Sequence, residues 1–137
     1  MFKKSKDTAY HHGNLAESLL DAVEELASKF GLEAVTLRGC AKMLGVSPSA
    51  AFKHYADKRA LLTAFAVRAM QQMAQRMQTA RDEASEHTFL EVGLAYVAFA
   101  LDKPALFQAM WRRELIDYNS VAYQQAASNL GAFLKGG

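Results

Sequence analysis

The residues whose types and spacing could do chemistry in this 137-residue chain fall between Thr36 and Tyr55, in TLRGCAKMLGVSPSAAFKHY. Thr36, Ser47 and Ser49 bring hydroxyls, Arg38, Lys53 and the nearby Lys58 bring cations, and His54 brings an imidazole. No carboxylate stands among them. Such a set suits hydrogen bonding and ion pairing to phosphates and base edges. Between Ala34 and Ala60 five basic residues (Arg38, Lys42, Lys53, Lys58, Arg59) face one acid, Asp57, giving a local net charge of +4. The whole chain is only +2, so the rest sums to −2 and the positive charge is concentrated here.

These side chains need elements to hold them, and the same stretch supplies two short helices and a turn. Thr36 is placed to cap the first, and Leu37, Cys40, Ala41 and Leu44 recur at helical spacing to form its apolar face. Gly45 stands where a helix closes in the left-handed conformation, and Ser47-Pro48 restarts the chain as N-cap and first helical residue. Ala51 and Tyr55 lie one turn apart on the inner side of the second helix, leaving Ser49, Ala50, Lys53 and His54 outward. Ala41, four residues before the glycine, allows a close crossing. This is the build of a helix-turn-helix, whose second helix enters the DNA major groove.

A preceding helix from Asn14 to Phe30 would be the third wall of the head. Asn14 is its cap, Glu17 completes a capping-box-like pair, and Leu15, Leu19, Val23, Leu26 and Phe30 trace one face. Gly31 ends it. After the head, Asp57 caps a long helix that begins at Lys58. Leu62, Phe65, Ala66, Ala69, Met73 and Met77 line one side of it. Its N–H groups and positive dipole end offer an easy phosphate contact. The polar run 78–88 reads as its end and a connection. Phe89 to Leu101 is apolar nearly all round and is therefore expected to be buried. Pro104 opens a short helix with Leu106, Phe107, Met110 and Trp111. Arg112-Arg113-Glu114 form a charged break, residues 117–120 a turn, and a last helix is expected from about Val121 to Leu134.

The chain should thus be all-α. We divide it into an N-terminal DNA-binding domain at 10–56, with the helix-turn-helix at 36–55, and a helical regulatory domain at 57–137. The basic lead with Lys3, Lys4 and Lys6 could touch phosphates as an arm. His11-His12 lacks a third ligand at helical spacing, so neither a metal site nor a cofactor is expected. The single cysteine and the lack of an apolar span fit the cytoplasm. No nucleophile elbow, phosphate loop or metal-ligand helix points to an enzyme. Dense aromatic and methionine side chains after the head are core first, but as a set could line an adaptable apolar pocket: Phe65, Met73, Phe89, Tyr96, Phe99, Phe107, Met110, Trp111 and Tyr123. Gln108, Arg112 and Asn119 could orient a ligand there.

The run from Tyr10 to about residue 75 resembles the DNA-binding head of the TetR family of bacterial transcriptional regulators. The resemblance rests on GLEAVTLR, the LGVS turn, the Phe52-x-His54-Tyr55 close and the DKRALL helix opening. AYVAFALDKPALFQAMW resembles, more loosely, the start of the ligand-binding half in one branch. The resemblance implies a homodimer whose two heads read a near-palindromic operator and are splayed by a small, apolar or aromatic effector, which makes a repressor. It implies that Thr36 and Arg38 meet backbone and groove. Ser47, Pro48, Ser49, Ala50, Phe52 and Lys53 would lie at the DNA face, Lys53 reading bases, and His54 and Lys58 would grip phosphate. Phe52 departs from the usual tyrosine and forgoes a phosphate bond worth about 1 kcal/mol. The chain also stops where the family's dimer helices are expected, which suggests truncation. That leaves an alternative: a truncated helical ligand-binding or interaction protein that does not bind DNA alone.

Overall fold

The computed structural model of the protein describes residues 14–135, which form seven α-helices and no strand. The basic lead and the His11-His12 pair lie outside the described residues. Helix α1 (Leu15–Phe30) and a 3-10 turn (Leu32–Ala34) lead into α2 (Leu37–Leu44) and α3 (Pro48–Phe52). The long α4 (Lys58–Glu83) follows, then α5 (Thr88–Asp102), α6 (Pro104–Trp111), a second 3-10 turn (Arg113–Leu115) and α7 (Val121–Lys135). The chain is all-α, as its periodicity requires.

Four capping side chains set the register of the first four α-helices. Asn14, Thr36, Ser47 and Asp57 accept hydrogen bonds from the N–H groups of Glu17, Gly39, Ala50 and Ala60 at 3.2, 2.9, 3.2 and 2.8 Å. The turn between α2 and α3 is closed by Gly45, with φ of 74°. The Val46 N–H donates to the Ala41 carbonyl and the Gly45 N–H to that of Lys42, a Schellman pair that satisfies the last carbonyls of α2. Leu37, Cys40, Ala41, Leu44 and Ala51 are all buried against Leu19, Leu20 and Val23 of α1.

Helix α4 is the spine. Its Leu61, Leu62 and Phe65 complete the core under the head, while Ala69, Met70, Met73 and Met77 continue that core beneath α5, α6 and α7. Polar ties join head to body along this spine. The Arg68 guanidinium donates to the Glu17 carboxylate at 2.5 Å and to that of Asp21 at 2.7 Å. Arg112 reaches Glu33 at 2.6 Å and Lys103 reaches Glu24 at 3.5 Å; within the body, Arg59 donates to the Ile116 carbonyl at 2.7 Å.

The structure corrects four expectations. Glu17 does not fold back onto Asn14, because its carboxylate is held by Arg68 across the helix pair. Phe30, at the last turn of α1, points out and is 68% exposed, since the chain turns away at Gly31 before anything covers it. Residues 78–83 are still helical: with Arg81 in its last turn and Gln78 bonded to Asp82, the polar run extends α4. Most consequentially, α5 is not buried all round. Val92 and Phe99 are buried against the spine, but Phe89, Leu90, Leu94, Val97 and Leu101 are 51–76% exposed. Its apolar residues form two opposed faces, and only one is covered.

Candidate nucleic-acid interface

The outward side chains of α2 and α3 stand on a scaffold that leaves them little freedom at the backbone. Arg38 and Lys42 leave α2 on the side opposite its buried Leu37–Cys40–Ala41–Leu44 face, and both are exposed. Ser49, Phe52, Lys53 and His54 are exposed on and just after α3, while Pro48 and Ala50 are half-buried. Thr36 and Ser47 spend their oxygens as acceptors for the helix caps, which leaves each hydroxyl proton to donate outward. Phe52, at 42% exposed, presents a bare ring edge beside this surface.

Two basic residues are partly engaged elsewhere. Lys58 donates one of its three N–H groups to the Glu33 carbonyl, which holds its ammonium at the start of α4 and leaves two for another acceptor. Arg59 is exposed but donates through Nη1 to the Ile116 carbonyl, which ties its guanidinium toward the α6–α7 connection. The Asp57 carboxylate occupies one N–H at the N-terminus of α4, so that end is already partly neutralised.

Three positioning features escaped the sequence reading. The Tyr55 hydroxyl donates to the Ala16 carbonyl at 3.0 Å, pinning the end of the helix-turn-helix to α1 across 39 residues. Burial, reinforced by the Glu17 carboxylate and opposed by Arg68, raises its pKa, so it stays a donor. Arg68 is held charged: burial works against its guanidinium, but hydrogen bonds to Glu17 and Asp21 outweigh that and raise its pKa. Thr63 accepts from the Asp117 N–H at 2.7 Å and donates to the Arg59 carbonyl, fastening the α6–α7 connection to α4. Partners so far apart in sequence leave no local signal.

A cavity of about 290 Å³ lies among α4, α5, α6 and α7. Of the pocket residues proposed from sequence, Tyr96, Met110, Trp111 and Tyr123 line it, joined by Met70 and Met77. Phe65, Met73 and Phe99 are fully buried in the core instead, and Phe89 faces solvent. Phe107 stands behind the wall, its ring edge-on to Tyr96 at 5.6 Å and to Trp111 at 6.0 Å. Gln108, Arg112 and Asn119 are not among the lining residues, and Arg112 is committed to Glu33 and Glu114. A wider cleft of about 420 Å³ beside α1 contains Arg68 and Glu17, which are already paired to each other; it suits an apolar molecule less well.

Residues 19–65 match the family of bacterial regulatory proteins, tetR family. Over those residues, the head of the molecule, the chain is similar to the TetR family. It is 26% identical over 98 residues to the uncharacterized HTH-type transcriptional regulator YobS of Bacillus subtilis (strain 168), covering 71% of this chain and 51% of that one. Among solved structures it resembles a protein of unknown function from Rhodococcus sp. RHA1, with a TM-score of 0.76 and 31% identity over 88% of this chain and 64% of the other. A TetR family transcription regulator from Marinobacter aquaeolei VT8 shares the fold at TM-score 0.67 and 18% identity, over 97% of this chain and 69% of that one. The chain therefore spans about half to two thirds of the length of these relatives. The all-α fold is shared with these solved structures, and the family match falls on the helix-turn-helix head. No described helix is long and apolar enough to cross a membrane.

Proposed function

We propose that this regulator is a repressor that binds operator DNA as a homodimer and is released by a small apolar molecule held in its helical body. The observation that carries the reading is the exposed set Arg38, Lys42, Ser49, Lys53 and His54 on two capped, tightly crossed helices. A rigid cationic surface with hydroxyls at its centre suits phosphate positioning with base-edge contacts between. On this reading residues 10–56 form the DNA-binding unit and 57–137 the regulatory one. Lys53 reads bases; Thr36, Arg38, Ser47, His54 and Lys58 hold the backbone. The two heads would take half-sites about 34 Å apart. The cavity lined by methionines with Tyr96, Trp111 and Tyr123 favours an apolar or aromatic effector.

The test is binding to selected duplex sites across a salt series. Lys58→Ala should weaken binding to every sequence and flatten the log–log salt slope by about 0.9, the equivalent of one phosphate. Lys53→Ala should change which half-site bases are preferred, by a discrimination of about 1–3 kcal/mol at the affected position. An unchanged slope in the first variant, or a uniform loss in the second, removes the role assigned to that residue. No duplex binding by the unaltered chain at low salt would favour an interaction protein that does not bind DNA alone.

A further inference from the structure

Two large apolar side chains stand exposed on the head among the described residues, Phe30 and Phe52. Phe30 closes α1 beside the Lys29–Glu25 ion pair, where charge is balanced. Phe52 stands instead within the basic surface, with Arg38 and Lys42 exposed on α2 and Lys53 exposed next to it. Asp57, the one acid between Ala34 and Ala60, spends its carboxylate on the Ala60 N–H. The rotation of α3 is fixed from inside, by the fully buried Ala51 and by Tyr55, which is bonded to the Ala16 carbonyl. Lys53 still has helical dihedrals (φ −68°, ψ −25°), so the helical projection holds through it. Ser49 and Lys53 then lie furthest outward, and Phe52 lies one turn along from Ser49 and about 60° round the helix from it.

A phenyl ring has no hydrogen-bonding group, so it can answer neither a phosphate oxygen nor a polar base edge. The apolar group that the four bases offer in the major groove is the C5 methyl of thymine. We infer that Phe52 reads that group: with α3 in the groove, its ring packs on a thymine methyl beside the base that Lys53 contacts. The ring is 42% exposed, which leaves it surface to cover with such a contact. The charge around it selects the occupant. Any body that covered the ring would also lie against Lys53 and its neighbours, and a cationic surface of this kind complements a polyanion. The inference rests on the proposed operator binding and adds to it a residue that chooses thymine by shape and hydrophobicity.

Deoxyuridine tests this directly, since it keeps every hydrogen-bonding group of thymidine and lacks only the methyl. Each thymine in one half-site of a selected duplex is replaced singly by deoxyuridine, and binding is read by fluorescence anisotropy. At one position the unaltered chain should bind about fourfold more weakly, the equivalent of one methyl group left uncovered. Phe52→Ala should bind the thymine and deoxyuridine duplexes alike at that position, because the coupling between ring and methyl is gone. Its log–log salt slope should match that of the unaltered chain, since no phosphate contact is lost. Phe52→Ser repeats the readout should alanine disturb the fold, and the deoxyuridine series on the unaltered chain needs no variant. Thymine methyls that all prove indifferent overturn the inference and leave the operator reading intact. So does a penalty that persists undiminished in Phe52→Ala, which would assign it to the deformability of the duplex. Absence of duplex binding by the unaltered chain at low salt removes both readings.

Discussion

At the residue scale, Cys40 illustrates how burial decides chemistry that composition leaves open. It is fully buried on the inner face of α2, and burial pushes its thiol up to about 12 from an ordinary 9.0. The thiolate is therefore disfavoured in the fold, and native protein should resist alkylation that the unfolded chain accepts readily. The linkage has a definite sign. The folded state keeps its proton where the unfolded state loses it, so this contribution to stability is complete below about pH 9 and declines as the pH rises from there toward about 12. Urea midpoints measured from pH 8 to 10.5 should fall more steeply for the unaltered protein than for Cys40→Ala. Parallel curves would mean that the thiol ionises within the fold at its ordinary value.

At the element scale, the head is held to α4 by Arg68 as well as by apolar packing. Its side chain is 15% exposed, whereas Glu17 and Asp21 are 62% and 47% exposed, so solvent screens the pair and a large energy is not expected. Arg68→Met should cost about 1 kcal/mol at low salt, because it removes the donor and leaves two carboxylates one turn apart on α1. The loss should shrink in 1 M salt, read from urea denaturation with an unchanged m value. A cost independent of salt would assign the contribution to the packing of the arginine stem instead.

At the scale of the whole molecule, the cavity and the head share the same spine. Trp111 lines the cavity at the end of α6, and the next residue, Arg112, is ion-paired to Glu33 in the head at 2.6 Å. A molecule seated beside Trp111 thus acts one residue away from a head contact. Trp111 is the only tryptophan in the chain, which makes it a direct reporter. Naphthalene, as a small apolar aromatic probe, should quench its fluorescence in a saturable way, and Ala127→Phe, which fills the cavity, should abolish saturation. Linear, unsaturable quenching in both proteins would indicate collision with the exposed part of the ring.

The amino-acid sequence by itself determined whatever depends on neighbours within a turn or two. The caps Asn14, Thr36, Ser47 and Asp57, the left-handed Gly45 and the buried faces of α2 and α4 were all legible, because a cap or a helical stripe is completed by residues three or four positions away. The outward placing of Ser49, Lys53 and His54 followed from that local geometry. Tertiary structure decided the rest. Glu17 serves Arg68 rather than its own helix end, and Tyr55 reaches Ala16, because these partners are 51 and 39 residues apart. Arg59 is tied to the Ile116 carbonyl for the same reason, its acceptor lying 57 residues on. The apolar circumference of α5 looked like burial on every side, yet hydrophobicity states only that a face is costly to leave in water, not which surface covers it. Among the described residues α4 covers one side of α5, and the other side is exposed.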